Sequence, residues 1–400
     1  MKTGLVLLTL LSLVLGGCSN PAPESVINGS SEIINNVSDS VTDDAYTILE
    51  TDIESQVLNL RLVAIGDNLI HAPIYEQAFR PETGDYDFTP SYQYIRDLVY
   101  NADIAFLNQE VCAAGEEYGI STYPLFNSPK ELAIAMAQYM GVDVVNQASN
   151  HSIDKGLGGL TTTLELWQQN KVLAIGVWQD PEPNGIRIWE NEGLRIAFVG
   201  YTYGLNGLDL YDWEGYHIGW LDDWETMQQD VNLAKEMADL VIVSLHWGYE
   251  GNTEPNEAQL NLAQALADLN VDLIIGHHPH VIQPVEELTR ADGKLMPVFY
   301  SLGNMISNQS SAPNLLGILA TVDIVYDSEG ARIEKPLALP LVTHYSWGYA
   351  ETFVYPLSEY TAELASQHGV LSYDSRFGLT YLNDLLNWVI DPEYLVQTMP

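Results

Sequence analysis

Polar side chains of the kinds that bind metal ions follow five of the predicted strands, at the point where each strand ends. Because the carboxyl ends of parallel strands share one edge of an open sheet, we expect these five groups to converge there. In chain order the groups are Asp67; Asn108, Gln109 and Glu110; Asn150 and His151; His246 and Glu250; and His277, His278 and His280. The sequence therefore predicts one site built from distant segments.

The residue types in these groups agree with one another. Carboxylate, amide oxygen and imidazole together suit a divalent ion of borderline hardness, such as Zn, Mn or Fe(II). The groups contain no thiolate, which argues against a structural zinc site. Five of the nine histidines in the chain lie in these loops. We therefore predict a divalent-metal site, and the sequence leaves the identity of the metal open.

Each group taken alone has an ordinary structural explanation. An aspartate after a strand often caps a turn, and Asn150 with His151 could be a loop pair bonded to the backbone. One histidine of the triple could orient a ligand instead of binding the metal. Cys112 is interpreted as a buried apolar residue rather than a nucleophile. The aromatic residues between 201 and 220 either line a substrate groove or pack an insertion.

Strand-like apolar runs alternate with amphipathic helical segments along most of the chain. The predicted strands before residue 280 are 58–65, 103–107, 142–145, 172–175, 194–199, 240–245 and 272–275. The predicted helices are 91–100, 129–139, 156–169, 224–238 and 256–269. Such alternation is typical of βαβ units, in which helices cover both faces of a mostly parallel sheet.

The chain becomes richer in strands from about residue 281 onward. The predicted strands there are 281–286, 296–300, 315–325 and 331–337. They indicate a second, mixed sheet packed against the first. Since we find no internal repeat and no linker after residue 57, we predict one domain over residues 57–345 and a helical C-terminal appendage over 346–400.

The first residues have the layout of an export signal. An apolar stretch at 5–14 follows Lys2, and two glycines precede Cys18. The pattern predicts a lipoprotein signal peptide over 1–18 with a lipidated Cys18. The polar residues 19–56 are interpreted as a flexible acidic tether. We therefore expect an exported protein, lipid-anchored to the cell membrane or outer membrane; an ordinary signal peptide or an uncleaved anchor is the alternative.

The charge of the chain limits its partners. With 15 basic and 54 acidic side chains, the formal net charge is −39. Binding to nucleic acid needs clustered Lys and Arg, so we exclude nucleic acid as a partner. The same charge disfavours electrostatic adhesion to anionic lipid.

An ordered set of short motifs resembles a known family. The motifs are Gly66-Asp67, Asn108-x-Glu110, Asn150-His151-x-x-Asp154-x-Gly156, His246-Trp247-Gly248-x-Glu250, His278-Pro279-His280 and Ser301-Leu302-Gly303-Asn304. Over roughly residues 59–306 the chain resembles the CapA family, the poly-γ-glutamate capsule synthesis proteins. The resemblance implies an α/β fold of the metallo-dependent phosphatase (calcineurin-like) type. That fold is a four-layer α/β/β/α sandwich with a two-metal site.

The resemblance also implies roles for individual residues. His151 would be the general acid that protonates the leaving group. The implied metal ligands are Asp67, Glu110, Asn150, His246, His278 and His280. Residues expected around the ligands are His71, Asp154, Glu250, His277 and Asn304.

The chain departs from the superfamily pattern in two places. The usual Asp-x-His is missing from the first strand, and His71, four residues after Asp67, is the candidate for the missing ligand. The usual Gly-Asp-x-x-Asp is replaced by Asn108-Gln109-Glu110. These departures leave the number of metal ions open.

Two functions follow from the resemblance. In the first, the protein acts in capsule or poly-γ-glutamate synthesis or export and is a metal-dependent hydrolase of a phosphoester or a polymer amide. In the second, it is a non-enzymatic polymer-binding or export component with a structural metal. The implied partners are an anionic capsule polymer and membrane export machinery.

Overall fold

The computed structural model describes residues 57–208 and 213–398. The predicted signal peptide over 1–18, its lipidated Cys18 and the tether over 19–56 lie outside the described residues. No helix within the described ranges combines the length and the hydropathy that crossing a membrane would require.

The strands are distributed along the whole described chain. They are β1 (Leu58–Asn68), β2 (Phe79–Arg80), β3 (Asp85–Tyr86), β4 (Ile104–Asn108), β5 (Val144–Asn146), β6 (Leu173–Ile175), β7 (Val177–Gln179), β8 (Arg187–Asn191), β9 (Leu194–Thr202), β10 (Tyr216–Ile218), β11 (Leu240–His246), β12 (Leu273–His277), β13 (Val285–Thr289), β14 (Leu295–Phe299), β15 (Asn304–Ile306), β16 (Leu316–Asp327), β17 (Gly330–His344) and β18 (Phe353–Pro356).

The helices occupy most of the segments between the parallel strands. They are α1 (Ala72–Ala78), α2 (Thr89–Tyr92), α3 (Arg96–Tyr100), α4 (Glu131–Ile134), α5 (Gly156–Gln169), α6 (Trp224–Met237), α7 (Glu257–Asp268), α8 (Ala362–Gln367) and α9 (Leu379–Val389). The predicted helix over 91–100 is wrong in detail. It is two short helices, α2 and α3, because Tyr92 points into the core, where its hydroxyl donates to Asn68.

Two sheets form the centre of the domain. The first sheet has the order β18-β17-β16-β1-β4-β5-β6, with β15 paired to the end of β1. Its strands β1, β4, β5 and β6 run parallel, whereas β16, β17 and β18 are antiparallel additions. The second sheet has the order β13-β14-β12-β11-β9-β8, in which β9, β11, β12 and β14 run parallel.

The alternation of side chains along the strands produces four layers. On β1, Leu62 and Ala64 face the second sheet, whereas Val63 and Ile65 face the helices on the other side. This is the period of two expected of a strand with both faces buried. Helices α1 to α4 cover the outer face of the first sheet, and α6 and α7 cover that of the second. The predicted four-layer α/β/β/α sandwich is confirmed.

The predicted allocation of strands to the two sheets is wrong. Residues after 281 do not form the second sheet by themselves. Strands β13 and β14 join the second sheet, whereas β16, β17 and β18 extend the first. The reason is the long antiparallel pairing of β1 with β16, from Leu58 opposite Tyr326 to Ile65 opposite Leu319. The predicted site therefore does not lie at the edge of one sheet. Strand ends from both sheets face each other there.

Residues 281–286 and 346–398 also differ in part from what the sequence predicted. The predicted strand over 281–286 begins only at Val285, because the preceding residues are bonded to the loop after β14, where Ser301 donates to the Val281 carbonyl. Residues 346–398 are largely helical, but β18 lies in the first sheet and Leu382 and Leu386 pack between the sheets. The domain boundary at residue 345 stays a prediction.

Candidate metal centre

Asp67 lies at the end of β1 and is fully buried. Its Oδ1 accepts a hydrogen bond of 2.8 Å from the Asn108 amide, and its Oδ2 lies 3.0 Å from Nδ1 of His280. Burial alone would raise the pKa of Asp67, but the imidazoles of His277 and His280 outweigh burial and hold the pKa below its usual range. Asp67 is therefore an ionised carboxylate pointing at the histidine loop.

Glu110 is the residue that ordinary hydrogen bonding leaves unexplained. Its side chain is fully buried, and within residues 57–208 and 213–398 neither carboxyl oxygen has a hydrogen-bond partner. Its Oε1 lies 3.5 Å from Nε2 of His280 and 3.9 Å from Nε2 of His246. Burial raises the pKa of Glu110 well above its ordinary value. A buried carboxylate without a hydrogen-bonded partner is strongly destabilising, and a bound cation would compensate it.

His246 and His278 present neutral imidazoles beside Glu110. Their ring centroids are 4.8 Å apart, and Nε2 of His246 lies 2.9 Å from Oδ1 of Asn150. Burial lowers the pKa of His246 well below its usual value and lowers that of His278 to about 3. Both rings are therefore uncharged at neutral pH, which is the form that binds metal.

His280 has the opposite electrostatics. Burial would lower its pKa, but the charges of Glu110 and Asp67 raise it to about 10. Donor atoms of Glu110, His278 and His280 all lie within 4.8 Å of one another. Without metal, this imidazolium balances the charge of the two carboxylates, and a divalent ion would replace its proton. The carboxylate and imidazole donors of the cluster therefore fit a divalent ion.

The backbone of the loop after β12 is unusual, and it aims two of these histidines. His278 has φ 96° and His280 has φ 56°, the left-handed region that is unfavourable for residues other than glycine. The loop packs closely on the chain after β14. A Cβ at Gly276 would lie 2.0 Å from the Tyr300 carbonyl oxygen, so glycine is required there.

His151 belongs to a second group of side chains at the rim of the cluster. Its Nδ1 lies 2.7 Å from Oδ2 of Asp154, which also accepts the Phe126 backbone N–H at 2.6 Å. The edge of the ring meets the Phe126 ring, with centroids 4.8 Å apart. Because Asp154 accepts at Nδ1, the remaining nitrogen, Nε2, is the one available to a substrate. The amide nitrogen Nδ2 of Asn206 lies 3.3 Å from Nε2 of His151.

The other predicted residues lie at varying distances from the centre. Oδ1 of Asn304 is 3.1 Å from Nδ1 of His280. His277 stacks on Phe106 with its Nδ1 3.6 Å from Asp67. Nδ1 of His71 contacts the Leu69 carbonyl and the Asn308 N–H, so this nitrogen is directed away from the cluster. Burial lowers the pKa of His71 to about 4.

Glu250, which was expected beside the ligands, is exposed at the surface. Cys112 is buried with its Sγ 3.2 Å from the Ser152 carbonyl oxygen, and burial raises its thiol pKa to about 12. The thiol is thus an unreactive, apolar-like residue, in agreement with its interpretation from sequence.

The sequence patterns singled out Asn108 but not Asn146, and these two residues form a chain of amides beneath the centre. Asn146 donates to Oδ1 of Asn108 at 2.8 Å, and Asn108 donates in turn to Asp67. Each asparagine ends a buried strand, and that position was the available signal. The aromatic residues between 201 and 220 have two roles. The Tyr203 ring covers His278, with ring centroids 4.5 Å apart, whereas Trp213 and Trp220 pack against an apolar cluster.

Comparison with known proteins identifies the family to which the chain is similar. Residues 61–309 match the family model described as "Bacterial capsule synthesis protein PGA_cap". The "PGA biosynthesis protein CapA" of Bacillus subtilis is 33% identical over 179 residues, which are 44% of this chain and 46% of that protein. The "Capsule biosynthesis protein CapA" of Bacillus anthracis is 27% identical over 256 residues, 62% of this chain and 60% of that protein.

The similarity extends over part of each relative and, more distantly, to solved structures. The chain spans about half the length of the curated relatives it matches. A 5'-nucleotidase precursor from Thermus thermophilus is 14% identical with a TM-score of 0.43, over 82% of this chain and 59% of that one. The family match runs from β1 to the residues after β15 and so includes all six predicted ligands. The chain belongs to the bacterial capsule synthesis protein family PGA_cap.

Proposed function

We propose that this protein acts in the synthesis or export of an anionic capsule polymer such as poly-γ-glutamate, as a metal-dependent hydrolase. The names of the Bacillus relatives support the capsule role. The observation that carries the metal dependence is Glu110, a fully buried carboxylate with no hydrogen-bond partner among the described residues, set between His246 and His280. Mn, Fe or Zn would suit these donors.

The six residues proposed to hold the metal are Asp67, Glu110, Asn150, His246, His278 and His280. When bound, divalent ions supply an activated water and a charge that stabilises the oxyanion. The substrate bond is a phosphoester or an amide of the polymer. The net charge of −39 would repel such a polymer, and cations at this centre would offset the repulsion locally.

His151 is proposed as the general acid. Asp154 accepts at Nδ1, fixes the ring and stabilises its doubly protonated form, in which Nε2 carries a second proton that can pass to a leaving group. The Phe126 N–H holds Asp154 in place from the other side. These contacts support proton donation to the departing oxygen or nitrogen when the bond breaks.

The non-enzymatic alternative, with a purely structural metal, is less favoured. A structural ion needs ligands only, yet the buried pair of His151 and Asp154 lies at the rim of the cluster and is linked to Asn150 through Asn206. The position of this pair beside the cluster supports chemistry at the centre.

We further propose that the protein is exported and lipid-anchored through Cys18 to the cell membrane or outer membrane, where it meets export machinery. The support is the signal-peptide pattern of residues 1–18. Globomycin treatment, which blocks lipoprotein signal cleavage, should leave a larger precursor. A Cys18→Ser variant that remains anchored and mature would contradict the proposal.

The experiment that tests the function compares three proteins: the full chain, His151→Ala and His217→Ala. His217 is an exposed histidine on β10, paired with Asp180, and serves as the matched control. Turnover of phosphoester and γ-glutamyl amide substrates should fall about 10²-fold or more in the His151 variant only. Equal turnover in all three would contradict the proposed acid. Loss of polymer in cells without any hydrolytic activity of the purified chain would favour the non-enzymatic function.

A further inference from the structure

We propose that Asn304 is itself a metal ligand, and that with Asp67 and His280 it forms an oxygen-rich position selecting a harder ion than the position beside His246 and His278. The inference rests on the proposed function, because it requires a metal centre. It assigns to Asn304 direct contact with the ion, where the sequence indicated only a neighbouring role.

The orientation of the Asn304 amide is set by its nitrogen. Nδ2 has four acceptors on the side away from the centre: the His280 carbonyl at 3.3 Å, Ser307 Oγ at 3.1 Å, Gln309 Oε1 at 2.8 Å and the Asn314 carbonyl at 2.9 Å. An amide is assigned from its hydrogen-bond network, and this one leaves a single choice. Oδ1 therefore points into the centre.

The position of Asn304 follows from strand pairing. It begins β15, which runs parallel to β1 with Asn304 opposite Asp67. Gly303 accepts the Asp67 backbone N–H at 2.9 Å, and a Cβ at Gly66 would lie 2.0 Å from that same carbonyl oxygen. The end of β1 and the start of β15 are thus locked together, and both side chains point from there toward His280.

Three donor atoms meet at this point. Nδ1 of His280 lies 3.0 Å from Oδ2 of Asp67 and 3.1 Å from Oδ1 of Asn304. Bonds of about 2.1 Å at right angles around one ion would place neighbouring ligand atoms about 3.0 Å apart. Nδ1 carries at most one proton and faces two oxygens, of which Asp67 Oδ2 also accepts the His278 backbone N–H at 3.4 Å. A shared ion satisfies all three atoms.

The two ends of the centre differ in chemistry. The end at Asp67 and Asn304 offers a carboxylate, an amide oxygen and one imidazole. The end at His246 and His278 offers two imidazoles and the Asn150 amide, and Glu110 lies between the two ends. Oxygen donors suit Mn²⁺ or Mg²⁺, whereas imidazole suits Zn²⁺ or Fe²⁺. The structure therefore favours two unlike ions over two identical ones.

Three substitutions distinguish the role of Oδ1 of Asn304 from the role of its Nδ2. Asn304→Ala removes both, and Asn304→Asp keeps an oxygen at the centre but loses the donor network. Gln309→Ala removes one acceptor of Nδ2 and leaves Oδ1 untouched, so it is the matched control. His246→Ala alters the opposite end. Thermal melting of each apo protein checks that it folds.

The test is titration of the full-length apo protein with Mn²⁺ and separately with Zn²⁺, followed by calorimetry and, for Mn²⁺, by electron paramagnetic resonance. Asn304→Ala should weaken Mn²⁺ binding by about tenfold or more and leave the tight Zn²⁺ position unchanged. His246→Ala should do the reverse. Asn304→Asp and Gln309→Ala should keep Mn²⁺ binding.

Each contrary result has a distinct meaning. Unchanged Mn²⁺ affinity in Asn304→Ala would overturn the inference while leaving the metal centre intact. If Asn304→Ala does not fold, Mn²⁺ binding lost in Asn304→Asp and in Gln309→Ala alike would overturn it, because the nitrogen network would then be what matters. A wild-type chain that binds neither ion would overturn this inference together with the metal premise of the proposed function.

Discussion

The imidazole of His151 and the carboxylate of Asp154 form a buried pair, with Nδ1 and Oδ2 2.7 Å apart. The contact joins positions three residues apart in one loop, at the rim of a cluster whose other members come from strands of two sheets. It fixes which nitrogen of His151 faces outward. The direction of that nitrogen is the basis for the first prediction.

Asp154→Asn should lower kcat about 10²-fold with little change in KM, because a neutral amide no longer stabilises the doubly protonated ring of His151 that donates from Nε2. The measurement compares phosphoesters with good and poor leaving groups. A lost proton donor should harm the poor leaving groups most. An equal loss for both kinds would show that the pair does not serve the leaving group.

Glu110→Gln should separate the stability of the apo protein from its stabilisation by metal. Without metal, the variant should be at least as stable as wild type, because a buried carboxyl with no hydrogen-bond partner among the described residues becomes a neutral amide. With metal at about 100 times its dissociation constant, wild type should gain about 2.7 kcal/mol and the variant much less. Urea unfolding with and without chelator measures both quantities. A variant that gains as much as wild type would remove Glu110 from the metal site.

Gly276→Ala should destabilise the protein by about 3 kcal/mol or more, because the added Cβ would lie 2.0 Å from the Tyr300 carbonyl oxygen. Gly204→Ala is the control, since an added Cβ there meets nothing within 4 Å. Urea unfolding of the two variants side by side gives the comparison. Equal stability would mean that the loop after β12 can shift without cost.

Stability should also depend on pH through two histidines far from the centre. His344 and His368 are buried with their rings 4.9 Å apart, and His344 accepts the Tyr360 hydroxyl at 2.7 Å. Burial lowers the pKa of His344 to about 4 and that of His368 to about 3.

The sign of the pH effect follows from these values. The unfolded chain, with histidine pKa near 6.5, binds more protons than the folded chain between about pH 6.5 and 4, so stability falls as the pH falls through that window. Each imidazole contributes up to about 3 kcal/mol to the fall. His368→Gln should flatten the pH dependence of the free energy of unfolding, and His217→Gln should not. A slope unchanged in His368→Gln would refute the assignment.

Local patterns in the sequence predicted which side chains meet in the cluster better than they predicted its arrangement. The spacing of His278 and His280, and the strand ends before Asp67 and Glu110, could be recognised within a few residues. The four layers followed from the alternation of strands and helices together with the family resemblance. Each of these signals is local in the chain.

The errors concern long-range pairing and backbone conformation. No local pattern shows that β16 pairs with β1 across more than two hundred residues, and this pairing places the later strands in the first sheet. The left-handed conformations of His278 and His280 depend on packing against the chain after β14. The amide chain of Asn146 and Asn108 likewise depends on the order of neighbouring strands.

The central claim is that the cluster around Glu110 holds divalent metal. Elemental analysis of the full chain, reloaded with Mn²⁺ or Zn²⁺ and dialysed, tests it most directly when Glu110→Gln is measured in parallel. We expect at least one tightly bound ion per wild-type chain and a clear loss in the variant. No bound metal in wild type, or equal metal in both proteins, would contradict it.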